Sequence, residues 1–206
     1  MRYRIALALT AAIAAVGAPA AALASSSGTT TTRVSYVRPV DSHGRLVARD
    51  RVSRQFKHAQ CNFGSEATGD AYRCFAGNFV LDPCWVTNVK SSVDCATSPW
   101  SRKVARLHVT KGYDNTGFDQ RHPFDPWAVK LVTGKRCVWL QGATGAVHGK
   151  RISYSCGGRN YLIGNVHKHP QPWRIQTARS TGGGHFTAGP WVKIARAWYG
   201  KPSRRG

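Results

Sequence analysis

Apolar and polar positions alternate with a period of two along much of the second half of the chain. In residues 127–132, Trp127, Val129 and Leu131 take one side and Ala128 and Lys130 the other, which is the signature of a half-buried strand. Thr133-Gly134-Lys135 supplies a turn, a second strand covers 136–141, and a glycine-rich loop over 142–150 leads to a third at 151–156. Further strands are predicted at 161–163, 173–177 and 191–199, between breaks rich in glycine and proline. Upstream, 71–75 and 78–81 read as short strands around Gly77, with Asp82-Pro83 as a turn. Residues 104–110 alternate again, Ala105, Leu107 and Val109 opposing Arg106 and His108. No stretch beyond the first residues sustains the three-and-four spacing of an amphipathic helix.

The first residues carry a different pattern. Arg2 and Arg4 precede an apolar run over 5–16, and Ala22-Leu23-Ala24 offers the small residues of a signal-peptidase site, predicting a leader over 1–24 cleaved before Ser25. The run is shorter than the ~20 residues of a spanning helix. A secreted, extracellular product is therefore expected, with 182 of the 206 residues retained and no transmembrane segment.

Export changes the meaning of the six cysteines, Cys61, Cys74, Cys84, Cys95, Cys137 and Cys156. An even set in an oxidising compartment is a disulfide framework before it is a metal or redox site. Pairing of neighbours is expected, Cys61 with Cys74 and Cys84 with Cys95, although spacing alone does not select among the connectivities six cysteines permit. The last pair sets a register. If Cys137 faces Cys156, then Trp139 faces Tyr154 and Gln141 faces Ile152, all on one face of a hairpin. A loop of that length closed by a disulfide stabilises by about 3 kcal/mol in the chain-entropy model.

These patterns divide the chain into a leader (1–24), a basic arm (25–55), a β-rich domain (56–200) and a basic tail (201–206). The arm opens on a Ser/Thr/Gly run and continues with Arg33, Arg38, Arg45, Arg49, Arg51 and Arg54, with few large apolar residues between them, so it is expected to be flexible or partly disordered. The fold class expected is mainly β: a single disulfide-stapled antiparallel domain, sandwich or barrel-like.

Charge narrows the partner. Thirty Lys and Arg stand against nine Asp and Glu, a net +21, which loss of Arg2 and Arg4 with the leader reduces to +19. Self-repulsion on that scale implies an anionic neighbour: a cell-wall polymer, an anionic lipid headgroup, nucleic acid or an acidic protein.

Several of these residues also carry a resemblance. The runs 70–78 and 82–85, then Cys95 and Pro99-Trp100, are followed by a block from Trp127 through Arg136-Cys137, 142–144, 154–156 and Trp173 to Ala197-Trp198-Tyr199. This arrangement over about 60–200 resembles an uncharacterised family of exported, cysteine-containing actinobacterial proteins. The resemblance implies secretion and one domain, and supplies no activity and no active site.

Candidate chemistry is thin. His167 and His169 would share one face of a strand, as metal ligands do, with His148 or His185 as a third, against the competing reading of a solvated loop. Asp114, Asp119, His122 and Asp125 gather in the polar loop 112–126, without the spacing of a calcium loop. A Gly-x-Ser-x-Gly elbow, a His-Glu-x-x-His pair and a phosphate loop are all missing from the sequence. No cofactor is implied and no catalytic residue is assigned. Trp173 with Arg174, and Trp198 with Arg196, are the binding candidates, because aromatics beside cations stack on sugars or bases; packing in the core is the competing role. The expected function is a non-enzymatic binding module for an anionic extracellular polymer, first of all a cell-wall component. The alternatives are a secreted hydrolase such as a nuclease, using His and Asp residues, and an inhibitor or toxin-like protein that binds an acidic protein.

Overall fold

A computed structural model describes residues 31–69, 71–111, 125–142 and 144–201, which form thirteen strands and no helix. The segment 1–24 expected to be a leader, residues 202–206 of the tail and the loop candidates Asp114, Asp119 and His122 lie outside the described residues.

The first half builds a small barrel from β2 (Arg51–Gly64), β3 (Tyr72–Ala76), β4 (Phe79–Val86), β5 (Ser92–Ala96) and β6 (Lys103–Lys111). Each strand runs antiparallel to the one before it, so the first and last meet in parallel and close the ring. The alternation in β6 delivers Ala105, Leu107 and Val109 inward, where they meet Ala59, Val93 and four fully buried cysteines. Cys61–Cys74 joins β2 to β3, and Cys84–Cys95 joins β4 to β5 at directly opposed positions. β5 is buried at every position, including Asp94. That carboxylate is tolerable because Arg106, opposite it on β6, donates two hydrogen bonds of 2.8 and 2.7 Å.

The second half builds another ring. β7 (Ala128–Leu131), β8 (Arg136–Trp139), β10 (Lys150–Ser155), β11 (Asn160–His167), β12 (Arg174–Gly182) and β13 (His185–Gly200) follow one another antiparallel, and β13 pairs with β7 to close the circuit. The short β9 (Ala146–Val147) folds back on β10. Val129, Leu131, Tyr154, Leu162, Ile175 and Ile194 fill the interior. Cys137–Cys156 closes the β8–β10 hairpin, and Trp139 opposes Tyr154 with their rings edge-on at 5.1 Å, as the sequence arithmetic requires. The arithmetic stops one pair later. Ile152 opposes Ile163 and Tyr154 opposes Leu162, so one extra residue on β10 forms a bulge and turns Ile152 to the outer face. There it packs with Val147, Ile163 and Ala178 under β9.

The stretch 56–200 thus contains two closed sheets, and strands are already formed before residue 56. Over its described part the arm carries secondary structure. β1 (Arg33–Val37) pairs in parallel with the end of β13. A tight loop tied by the Val40–Leu46 bridge then docks on the first barrel, where Asn88 donates to the Gly44 carbonyl at 3.0 Å. Gly44 has φ +74°, and a Cβ there would lie 2.7 Å from the Asn88 nitrogen, so only glycine fits. The segment packs here because its few apolar residues, Val40 above all, are buried by partners distant in sequence; composition along the segment does not register them.

The barrels meet through Val40, Ala67, Ala71, Trp85, Ala96 and Trp127, with Trp85 and Trp127 edge-on at 6.3 Å. Gln141 reaches across to donate to the Asp82 carbonyl. The three disulfides belong to an oxidising compartment. Among the described residues no helix is long and apolar enough to cross a membrane.

The tightest point of that junction is Gly200, at the end of β13. A Cβ there would sit 2.4 Å from Thr68 Cγ2 and 3.1 Å from the Trp85 ring. Gly200→Ala is expected to destabilise the protein by roughly 1–3 kcal/mol through overpacking, while Gly77→Ala, with open space around its Cβ but φ +59°, is expected to cost about 1 kcal/mol from backbone strain alone. Thermal unfolding of both variants, disulfides intact, checks the order.

Candidate cation row

β13 pairs with three strands of the second sheet, β12, β1 and β7. Its inner positions are Val192, Ile194 and then Ala197, because the pairing with β7 shifts by one residue between Ile194 and Arg196. The shift puts Arg196 and Trp198 on the outer face, where Arg196 opposes Arg33 of β1 on one side and Lys130 of β7 on the other. Lys130 in turn opposes Arg136 of β8. Opposed residues in a sheet share a face. Arg33, Arg196, Lys130 and Arg136 therefore stand in one row across four adjacent strands, at the ~4.8 Å strand spacing. None of the four forms an ion pair with a described acid.

Aromatic rings border this row. The Arg196 guanidinium lies 5.7 Å from the centre of the Trp198 ring, Trp198 is edge-on to Trp100 at 5.5 Å, and Arg136 sits 5.5 Å over Trp100. Trp100 also lines a cavity of about 170 Å³ whose wall includes Arg38, Arg49, Asp50, Arg102 and Trp127. Arg38 is committed to the carbonyls of Val40 and Asp41. Burial raises the Asp50 carboxyl above its ordinary value against the pull of Arg49 and Arg102, and with two arginines lining the cavity beside that one acid it offers more positive charge than negative. Geometry of this kind suits a ligand that carries anions and planar or ring-shaped groups together.

The two binding candidates from the sequence fare differently. Arg196 and Trp198 are two residues apart on one strand and share a face, so they act together. Trp173 and Arg174 are adjacent at the start of β12. Trp173 packs half-buried against the core of the second ring, and its N–H donates to Thr32 Oγ1 at 2.8 Å, while Arg174 is exposed. They do not form one site, because neighbouring residues of an extended chain point to opposite faces. Sequence reasoning missed Arg33, Lys130 and Arg136. Lys130 and Arg136 face each other across the tight β7–β8 hairpin, but only the long-range pairing of β7 and β1 with β13 sets that pair beside Arg196 and Arg33, and no local spacing encodes that.

The histidine candidates separate as well. β11 ends at His167, whose ring lies 4.5 Å from Trp191, and His169 falls in the bend that follows, so the strand alternation assumed for the two does not extend to the second. His148 and His185 are exposed at the β9–β10 and β12–β13 turns. Among the described residues the group of three potential metal ligands that comes together is Cys74, Cys84 and Cys95, and all three are in disulfides. Comparison with protein families, curated proteins and solved structures finds no match to this chain.

One polar cluster has the appearance of chemistry. Ser65 Oγ donates to Asp82 Oδ1, the Glu66 N–H donates to Oδ2 at 2.9 Å, and Ser65 Oγ accepts from the Ala67 N–H. Both side chains are buried, however, and every polar atom in the cluster is engaged in pinning the β2–β3 loop against β4. It reads as a structural knot. Burial pushes the Asp82 carboxyl up to about 7, against those hydrogen bonds, which favour its charged form. A carboxyl with a raised folded-state pKa binds more protons folded than unfolded. Its contribution is thus fully present below about pH 4 and is lost as pH rises through about 7, with a slope of at most about 1.4 kcal/mol per pH unit. Burial raises Asp125 in the same direction, opposed by Lys168. Asp82→Asn keeps the shape and one acceptor and should flatten the fall in stability between pH 4 and 7. Denaturant midpoints across that range measure it, and a mutant curve parallel to the wild type's assigns the slope elsewhere.

Proposed function

We propose that the chain is an exported, non-enzymatic binding module for an anionic extracellular polymer, with a cell-wall polymer as its partner. The observation that supports this most is the row Arg33–Arg196–Lys130–Arg136. Like charges directly opposite one another destabilise a sheet, by a few tenths to about 1 kcal/mol for each pair. A fold that keeps three such contacts side by side, with no described acid interposed, gains from an anion that none of its described side chains supplies. Arginine is suited to this task, since its planar fork matches carboxylate and phosphate oxygens.

Binding would proceed by release of the polymer's condensed counterions, so affinity should fall steeply with salt. Secretion through the leader places the module where such polymers are found. The hydrolase reading needs a cluster of acid and base groups in one cleft, and the described histidines are dispersed over the surface.

The test is fluorescence anisotropy of labelled wall fragments, and separately of labelled single-stranded nucleic acid, across a sodium chloride series. Lys130→Ala with Arg136→Ala should weaken binding at low salt and reduce the slope of log K against log salt by about 1 for each cation removed. Unchanged slopes would refute the row as the site. Turnover of the nucleic acid that disappears on replacing a single histidine would replace the module with an enzyme.

A further inference from the structure

β13 carries a second outward feature, seven residues before Trp198. Trp191 is 43% exposed, with the His167 ring 4.5 Å away and the Lys150 ammonium 5.4 Å over its ring. Gln176 lies directly opposite it on β12 and accepts from Lys150 Nζ at 3.0 Å. One row further along, His167, Arg174 and Lys193 oppose one another across β11, β12 and β13, repeating the cross-strand row of basic residues seen at Arg196. The outer face of β13 thus presents Trp191, Lys193, Arg196 and Trp198 in order: ring, cation, cation, ring. β12 and β1 abut on the same edge of β13, where the Ile194 N–H donates to the Trp173 carbonyl and its C=O accepts from Thr32 Oγ1. The surface between the two rows is therefore continuous sheet.

We infer that Trp191, with His167, Lys150 and Gln176 around it, is a sugar-ring platform, and that it forms with the Arg196 row one track for an acidic polysaccharide. An exposed indole offers an apolar face to the C–H groups of a pyranose, and the flanking imidazole and ammonium reach its hydroxyls, while the Gln176 amide, which also donates to the Gly189 carbonyl at 3.1 Å, holds the Lys150 ammonium in place. Seven strand steps separate the two tryptophans by about 23 Å, so the occupant is a chain rather than a single sugar. A neutral glycan would leave both cation rows unmatched, and a bare polyphosphate would leave both rings unmatched. Stacking also serves nucleic-acid bases. The disulfide-forming compartment favours the polysaccharide over single-stranded nucleic acid, which makes nucleic acid the competing outcome. The charged half of the track rests on the anionic-polymer reading; the platform does not.

Three probes separate these cases in the full-length, disulfide-bonded protein: polygalacturonate, inorganic polyphosphate and an oligothymidylate. Trp191→Ala should weaken polygalacturonate binding roughly five- to tenfold and leave polyphosphate binding within about twofold. Trp191→Phe should restore part of the loss. Arg196→Ala should weaken both ligands. Undiminished polyphosphate affinity in Trp191→Ala also shows that the variant is folded. Equal losses on both ligands, or no loss on either, would overturn the platform while leaving the cation row standing. Failure of the wild type to bind any of the three would instead remove the anionic-polymer reading. Tighter binding of the oligothymidylate, lost in the same Trp191→Ala variant, would give the track to nucleic acid and overturn the polysaccharide assignment.

Discussion

Strand β13 must satisfy two rings of neighbours at once, and the one-residue shift between Ile194 and Arg196 is what allows it to do so. Over its first half it pairs with β12, and over its second half it runs between β1 and β7. A strict period of two would carry the inward face from Ile194 to Arg196 and Trp198, placing a guanidinium and an indole in the core. The bulge inverts the phase, so Ala197 is buried in their place and both side chains emerge. The same inversion puts Ala197 opposite Val129 and Val34, and thereby sets the order in which β1, β7 and β8 present their own side chains. The closure of the second ring, the attachment of the N-terminal strand and the alignment of the cation row all depend on this one irregularity.

The parts of this arrangement that were legible in the sequence are those held by near neighbours. Alternation over 104–110 located β6, and the spacing of Cys137, Trp139, Tyr154 and Cys156 set a register that the hairpin keeps. Legibility ended at bulges and at distant pairings. Nothing local in Arg151-Ile152-Ser153 announces that β10 adds a residue there, because the bulge answers to the Ile163 and Leu162 it must meet. β5 went unread because Asp94 interrupts its apolar run, and the Arg106 that neutralises it lies twelve residues on. The N-terminal arm reads as a basic linker for the same reason. Val40 and Gly44 acquire their roles only when Trp85, Asn88 and Ala96 are brought to them.

Half of the candidate site was within reach. Two residues on one strand separated by a single position share a face, and Arg196 with Trp198 meets that condition; Trp173 with Arg174 does not. The remainder of the row is a property of the sheet, since Arg33 and the Lys130–Arg136 hairpin pair are brought to opposite sides of Arg196 from segments distant in sequence.

The distribution of the described acids argues that none of them stands in the row, by arrangement rather than by shortage alone. Asp41 accepts from the His43 and Arg45 amides in a tight turn, and Asp94 is locked to Arg106 inside the first barrel. Glu66 is drawn to Arg73 and Arg151 at the junction of the two barrels. Asp82 is enclosed by Ser65 and the Glu66 amide, and Asp125 is half-buried and feels the charge of Lys168. Each described acid that is well engaged thus fixes a turn, a loop or an interface, and none lies on the outer face of β13. A surface charge left only for solubility would gain from being dispersed. Concentrating cations in two rows on one face, with an indole at each end, costs repulsion that dispersal would avoid. That cost is offset when a ligand of matching charge and shape lies along the strand.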